Sequence, residues 1–184
     1  GRGTQLDTVI LNAGIAPTPD LAMTDAGIEL TVSSSLIGHH RFTMRLLEHG
    51  LLAPGASIVI AGSEAARGDV PTFSPVDLPA MAQASFAGDL TKAIEAQMKM
   101  ADPAVYKPSD VYATAKVFVA WWAAELASKL PAGMTVNAVS PGSTPDTNDG
   151  LNAPFLKRYL MMQVIKLIQG MSHSIDKGAC PYLE

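Results

Sequence analysis

Three short runs rich in β-branched residues punctuate the chain: Thr8-Val9-Ile10-Leu11, Ser57-Ile58-Val59-Ile60-Ala61 and Met134-Thr135-Val136-Asn137-Ala138-Val139. Each is apolar nearly throughout, the pattern of a strand covered on both faces. Long stretches with helical spacing separate them. Strands that alternate with helices predict a parallel sheet joined by right-handed crossovers, an α/β fold. In such sheets the working crevice lies outside the carboxyl ends of the strands. Here those ends carry Asn12-Ala13-Gly14, Gly62-Ser63 and Ser140-Pro141-Gly142, so three glycine-bearing turns are expected at one edge.

The helices follow from spacing and caps. Thr24 is expected to cap a helix over residues 25–48, with Asp25 in its first turn and Gly50 as its stop. The Ser/Thr-rich stretch 31–35 is its weak point. Phe86, Leu90, Ile94 and Met98 recur at helical spacing and predict a helix over 86–100, broken by Pro103 and Pro108. Ser109 or Asp110 is expected to cap a long helix ending near Lys129, before Pro131 and Gly133. Helical pieces over about 153–169 and 174–183 finish the chain.

The length of 184 residues suits one domain with a sizeable core. With 48% apolar and 16% charged residues, the composition is that of a globular chain. A net charge of −4 gives no electrostatic footprint for nucleic acid. Cys180 is the single cysteine, so no internal disulfide can form, and a reducing compartment, the cytoplasm, is expected. Gly1-Arg2-Gly3-Thr4-Gln5-Leu6-Asp7 carries no signal-peptide pattern. No apolar run approaches the roughly 20 residues of a membrane span. His39 and His40 read as helix-packing or surface residues, since nothing beside them has metal-ligand spacing, and no metal is expected.

One stretch of the long helix has chemical meaning. Tyr112 and Lys116 stand four residues apart, about one helical turn, and project from one face. A phenol with a pKa near 10 is a poor acid or base at neutral pH, and a neighbouring ammonium favours the phenolate. Such a pair can relay a proton to or from a substrate oxygen. Taken alone, Tyr-x-x-x-Lys is a weak pattern, and a packed ring beside a solvated charge is its better reading. Ser63, Asn12 and Pro141-Gly142 likewise read singly as turn residues.

Taken in order, these pieces resemble the short-chain dehydrogenase/reductase family. Asn12-Ala13-Gly14 follows a strand and Gly62-Ser63 the next. Tyr112-x-x-x-Lys116 lies on a helix, and Val136-Asn137-Ala138-Val139-Ser140-Pro141-Gly142 closes the series. The likeness runs from about residue 6 to 183. Ile37-Gly38-His39 and the wide gap before Tyr112 look like the carbonyl reductase, retinol dehydrogenase and protochlorophyllide reductase branches. The resemblance implies an NAD(P)-dependent oxidoreductase acting on a carbonyl, an alcohol or a conjugated double bond, with NADP slightly favoured by the branch. Tyr112 would be the general acid, Lys116 its tuning partner and ribose ligand, and Ser63 the holder of the substrate oxygen. Asn12, Ala13 and Gly14 would lie against the cofactor. Pro141, Gly142 and Thr144 would line its nicotinamide side.

Three departures qualify the resemblance. Ser35 stands where many members carry an asparagine that supports the lysine and a proton-relay water. The segment from about 65 to 105 is an insertion, which in similar branches covers a dimerisation face, so monomer and homo-oligomer both stay open. The family's first strand, glycine-rich turn and next strands find no counterpart. The expectation is thus one partial domain over 1–184, the C-terminal, catalytic part of a doubly wound Rossmann-like sheet. Alone it should have little dinucleotide affinity, and its first strand should present an apolar edge. The competing expectation is a binding or scaffold protein that kept the fold and lost the chemistry. Phe155, Leu156, Tyr159, Leu160, Met161, Met162 and Met171 fall where the family places its substrate-covering helices, and methionine-rich walls suit a lipophilic substrate or simply a core.

Overall fold

The computed structural model describes residues 5–16, 18–142 and 174–183. Strand β1 (Leu6–Leu11) leads by a loop to helix α1 (Leu30–Val32), a π-helical turn (Ser33–Ile37) and helix α2 (Gly38–Glu48). Strand β2 (Leu52–Ala61) follows, then a 3-10 turn (Glu64–Arg67), helix α3 (Leu78–Ser85) and helix α4 (Leu90–Lys99). Helix α5 (Pro108–Lys129), strand β3 (Thr135–Val139), helix α6 (Ile175–Ala179) and a 3-10 turn (Cys180–Tyr182) complete it.

Among the described residues the sheet has three strands in the order β1-β2-β3, parallel throughout, as the alternation of elements predicts. The register sets Val9 beside Ile58 and Ile58 beside Val136, so these three form one row across the sheet. Leu11 and Ile60 form the next row on the same face, because alternate residues of a strand share a face. That face packs on Val32, Leu36 and Leu46 from the first helical stretch and on Ala115, Phe118, Val119, Ala123 and Leu126 from α5. Ile58 and Ile60 are fully buried; each contributes about 1.5–3 kcal/mol by leaving water. Among the described residues β1 is an outer strand of this sheet, and Leu6 and Ile10, on the face opposite Val9 and Leu11, are 42% and 47% exposed.

The second strand is longer than its apolar run. It begins at Leu52 and carries Pro54-Gly55 through an irregularity in register between Leu6 and Thr8 of β1. Gly55, at φ +85°, takes the left-handed conformation that this kink needs.

Four helix boundaries differ from expectation. Thr24 caps no helix: its side chain and backbone close a local turn onto Ile28, with Gly27 at φ +72°. The helix starts at Leu30, where the Glu29 carboxylate accepts from the Val32 N–H at 2.9 Å. The helix expected over 86–100 is α4, which starts later because Ala87 and Gly88 both turn left-handed and Asp89 caps its start; α3, capped by Asp77, was not expected. At α5 neither Ser109 nor Asp110 is the cap. Lys107 holds that position with Pro108 in the first turn, where its missing N–H costs nothing. Asp110 instead pairs with Lys107 and accepts from the Ser74 N–H. The last helix is shorter, α6 followed by its 3-10 turn. The helix expected over 153–169, the methionine-rich segment and Thr144 lie outside the described residues.

Among the described residues no helix is long and apolar enough to cross a membrane, and no cluster of side chains could hold a metal ion.

Candidate active site

The carboxyl ends of the strands open onto a cavity of about 560 Å³. Asn12 and Gly14 reach it from the loop after β1, Ala61 and Gly62 from the end of β2, and Pro141 from the turn after β3. Tyr112 and Lys116 reach it from α5, and Ser35 from the π turn. The far wall is Gly178, Ala179, Tyr182 and Leu183.

Tyr112 and Lys116 share a face, as their spacing requires, and the Lys116 Nζ lies 5.6 Å from the centre of the Tyr112 ring. Lys116 is 6% exposed. Its ammonium donates to the carbonyl of Ala61, the last residue of β2, at 2.8 Å, so the helix is tied to the strand end at the cavity. The Tyr112 ring packs against Phe73, with ring centres 5.7 Å apart, so the segment after β2 backs the phenol.

Ser35 is 1% exposed, and its hydroxyl finds no hydrogen-bond partner among the described residues. Gly14 lies opposite: a Cβ there would stand 3.3 Å from the Ser35 Oγ, so the missing side chain is what lets this loop approach the helix. The Ser35 carbonyl accepts a hydrogen bond from Nδ1 of the buried His39 at 3.0 Å. Burial, the largest influence, holds the His39 pKa below its ordinary value, and the Lys116 charge acts in the same direction.

Ser63 is placed differently from its neighbour Gly62. It begins the 3-10 turn 64–67, its hydroxyl accepts from the Ala65 N–H at 3.2 Å, and it is not on the cavity wall. Ala13 is exposed and also off the wall. Gly142 donates its N–H to the Ser140 hydroxyl at 3.3 Å and stands behind Pro141. Of the residues singled out in the sequence, Asn12, Gly14, Ser35, Tyr112, Lys116 and Pro141 thus converge on one cavity. Tyr182 was not foreseen. Burial, and then the proximity of Tyr112, push its phenol above the ordinary tyrosine pKa. The sequence held no signal for it, since Cys180-Pro181-Tyr182 reads as the frayed end of a helix.

The parallel sheet with the tyrosine helix packed against it, its strand ends opening on a common cavity, matches part of the α/β fold of short-chain dehydrogenases/reductases. The chain superimposes on a short-chain dehydrogenase/reductase of unknown function from Caenorhabditis elegans, solved with cofactor, with a TM-score of 0.52 and 20% identity over 88% of this chain and 49% of that one. It is also similar to the 3-alpha-hydroxysteroid dehydrogenase from Pseudomonas sp. B-0831 complexed with NADH, with a TM-score of 0.49 and 25% identity over 76% of this chain and 49% of that one. The chain spans about half the length of each of these structures. No family model and no curated protein matches its sequence.

Proposed function

We propose that the chain carries the catalytic part of a nicotinamide-dependent oxidoreductase that interconverts a carbonyl and an alcohol, or reduces a conjugated double bond. The observation that carries this reading is the Tyr112–Lys116 pair on the wall of the strand-end cavity, with the ammonium 5.6 Å from the ring centre. The donor set fits a dinucleotide's reactive end. Gly14 leaves room for close backbone approach, Asn12 offers an amide, and the buried Ser35 hydroxyl has bonding capacity to spare among the described residues. The bound nicotinamide supplies or accepts the hydride.

The chain's own residues handle the proton and the geometry. Tyr112 donates its phenolic proton to the substrate oxygen in reduction and takes it back in oxidation. Lys116, fixed by the Ala61 carbonyl, stabilises the negative charge left on the phenolic oxygen. Ser35 is the hydroxyl on the wall and stands where the resemblance puts an asparagine. Ser63, Ala13, Gly142 and Thr144 keep the roles the resemblance implies, Ser63 by turning its hydroxyl from the Ala65 N–H toward the cavity. The segment 65–105 belongs to the same single domain as an insertion backing Tyr112 through Phe73. The cofactor is NAD or NADP, with NADP favoured by the branch resemblance, and a lipophilic substrate suits Ile10, Ile15 and Leu183 on the wall.

The test is turnover by the full-length protein carrying Tyr112→Phe. Loss of a general acid costs about 10²–10⁴-fold, and undiminished turnover overturns the assignment. One observation favours a second reading, a non-catalytic binding protein of the same fold: Ser63 spends its hydroxyl on a local turn instead of facing the cavity. Titration of the full-length protein with NADH and NADPH separates the two, since a scaffold without cofactor affinity shows no saturation.

A further inference from the structure

Thr31, Ser35, His39 and Thr43 follow one another at intervals of four residues, and all four are buried. An α-helix turns every 3.6 residues, so a stripe with a period of four drifts around the cylinder. The π turn at 33–37, where the Gly38 N–H reaches back to the Ser33 carbonyl, takes up part of that excess. One continuous polar stripe can then face inward from α1 to α2. The stripe holds one titratable ring, and the chemistry proposed above leaves it unused.

We propose that His39 is a positioning residue: through a hydrogen bond from its Nδ1–H to the Ser35 carbonyl, it fixes the π turn so that the Ser35 hydroxyl is presented to the cavity shared with Tyr112 and Lys116. A carbonyl oxygen only accepts, so the nitrogen 3.0 Å away must carry the hydrogen. Burial, the largest influence, disfavours the imidazolium, the bond to Ser35 favours it, and the Lys116 charge disfavours it; the net direction is a lowered pKa, and the neutral ring keeps this bond as the Nδ1–H tautomer. A side chain that bonds back to the carbonyl four residues earlier draws that carbonyl out of the regular ladder and bends the helix locally. Here the carbonyl belongs to the residue whose hydroxyl lines the cavity, and the Gly14 backbone leaves that hydroxyl just enough room. The kinetic consequence rests on the oxidoreductase reading; the hydrogen bond does not.

The test has two arms. Imidazole ¹⁵N NMR of the unaltered full-length protein at neutral pH is expected to show His39 as the neutral Nδ1–H tautomer, and an Nε2–H tautomer overturns the proposal. In the second arm, His39→Phe keeps a ring without the donor, and His39→Asn keeps an N–H near the place of Nδ1. His39→Phe is expected to lower kcat about tenfold to a hundredfold, the scale of a small misplacement in an active site, with KM within about twofold. His39→Asn is expected to restore most of the loss. In a Ser35→Ala background, His39→Phe should bring no further loss of kcat, a non-additivity that a merely structural role would not produce. Equal loss in both backgrounds, or no rescue by asparagine, overturns the proposal. If Tyr112→Phe leaves turnover intact, the oxidoreductase reading fails alone, and the NMR arm still decides the hydrogen bond.

Discussion

Two glycines on the cavity wall offer a controlled comparison of what one methyl group costs. A Cβ on Gly62 would stand 3.1 Å from the Val139 carbonyl oxygen and 3.5 Å from the Val139 carbon and nitrogen. The obstacle is backbone, in a strand already tied to Gly62 by a 2.7 Å hydrogen bond from the Gly62 N–H to the same oxygen. Neither chain can rotate away, so β2 and β3 must part by a few tenths of an ångström at the cavity. Gly62→Ala should therefore cost about 1–3 kcal/mol, the range for overpacking. In a chain of this length each kcal/mol lowers Tm by about 2–4 °C, so the expected fall is roughly 2–12 °C. Gly14→Ala places the same methyl 3.3 Å from the Ser35 Oγ, the end of a rotatable side chain. The hydroxyl turns aside, and the loss is offset by the roughly 0.4–1 kcal/mol gained from a stiffer unfolded chain. Neither glycine adopts a left-handed φ, so strain does not confuse the pair. Thermal unfolding followed by circular dichroism reads both variants. If Gly62→Ala melts within about 1 °C of the parent, or Gly14→Ala loses more than Gly62→Ala, the contrast between backbone and rotor is wrong.

Two further predictions concern the supports of the site. The Thr114 hydroxyl accepts from the Val76 N–H at 2.9 Å and donates to the Asp110 carbonyl at 2.7 Å, so Thr114→Val leaves the Val76 N–H without its acceptor. A loss of about 1–3 kcal/mol is expected in urea unfolding, with faster amide exchange at Val76; unchanged exchange there would show that the contact is not made. For His39 the folded pKa lies below the ordinary value, mainly through burial, so the unfolded chain binds the proton first as pH falls. This contribution to stability is complete above a pH of about 6.5 and is lost as pH falls through the lowered folded value. His39→Asn should flatten the slope of the urea midpoint between about pH 5 and 7, and an unchanged slope means that the ring titrates as in the unfolded chain.

The three strands and the tyrosine helix were legible because each is a sustained signal: β-branched runs for the strands, and a largely apolar stretch from Val111 to Leu126, broken only by Thr114, Lys116 and Glu125, for α5. Tyr112, Lys116 and Asn12 were legible for the same reason, being fixed to elements whose position the pattern sets. What escaped was set by competition at short range. Thr24 looked like a cap but finds its partner four residues on, and the buried Glu29 takes its place. Ala87 turns left-handed without a glycine's licence, so the split between α3 and α4 has only Gly88-Asp89 as its trace. The π turn inserts a phase shift that a search for a 3.6-residue period cannot register, and with it goes the orientation of Ser35 and His39. Tyr182 meets Tyr112 only through tertiary packing, for which a single sequence carries no mark.

The bond from Lys116 to Ala61 joins positions 55 residues apart, and the cavity wall as a whole draws on residues from Ile10 to Leu183. Contacts of such long range must wait for the sheet that brings their owners together, and they slow the search for the native state. During synthesis the cavity should therefore take shape late, once β3 docks beside β2. Before that step the chain has strands and helices but not the cavity they come to enclose.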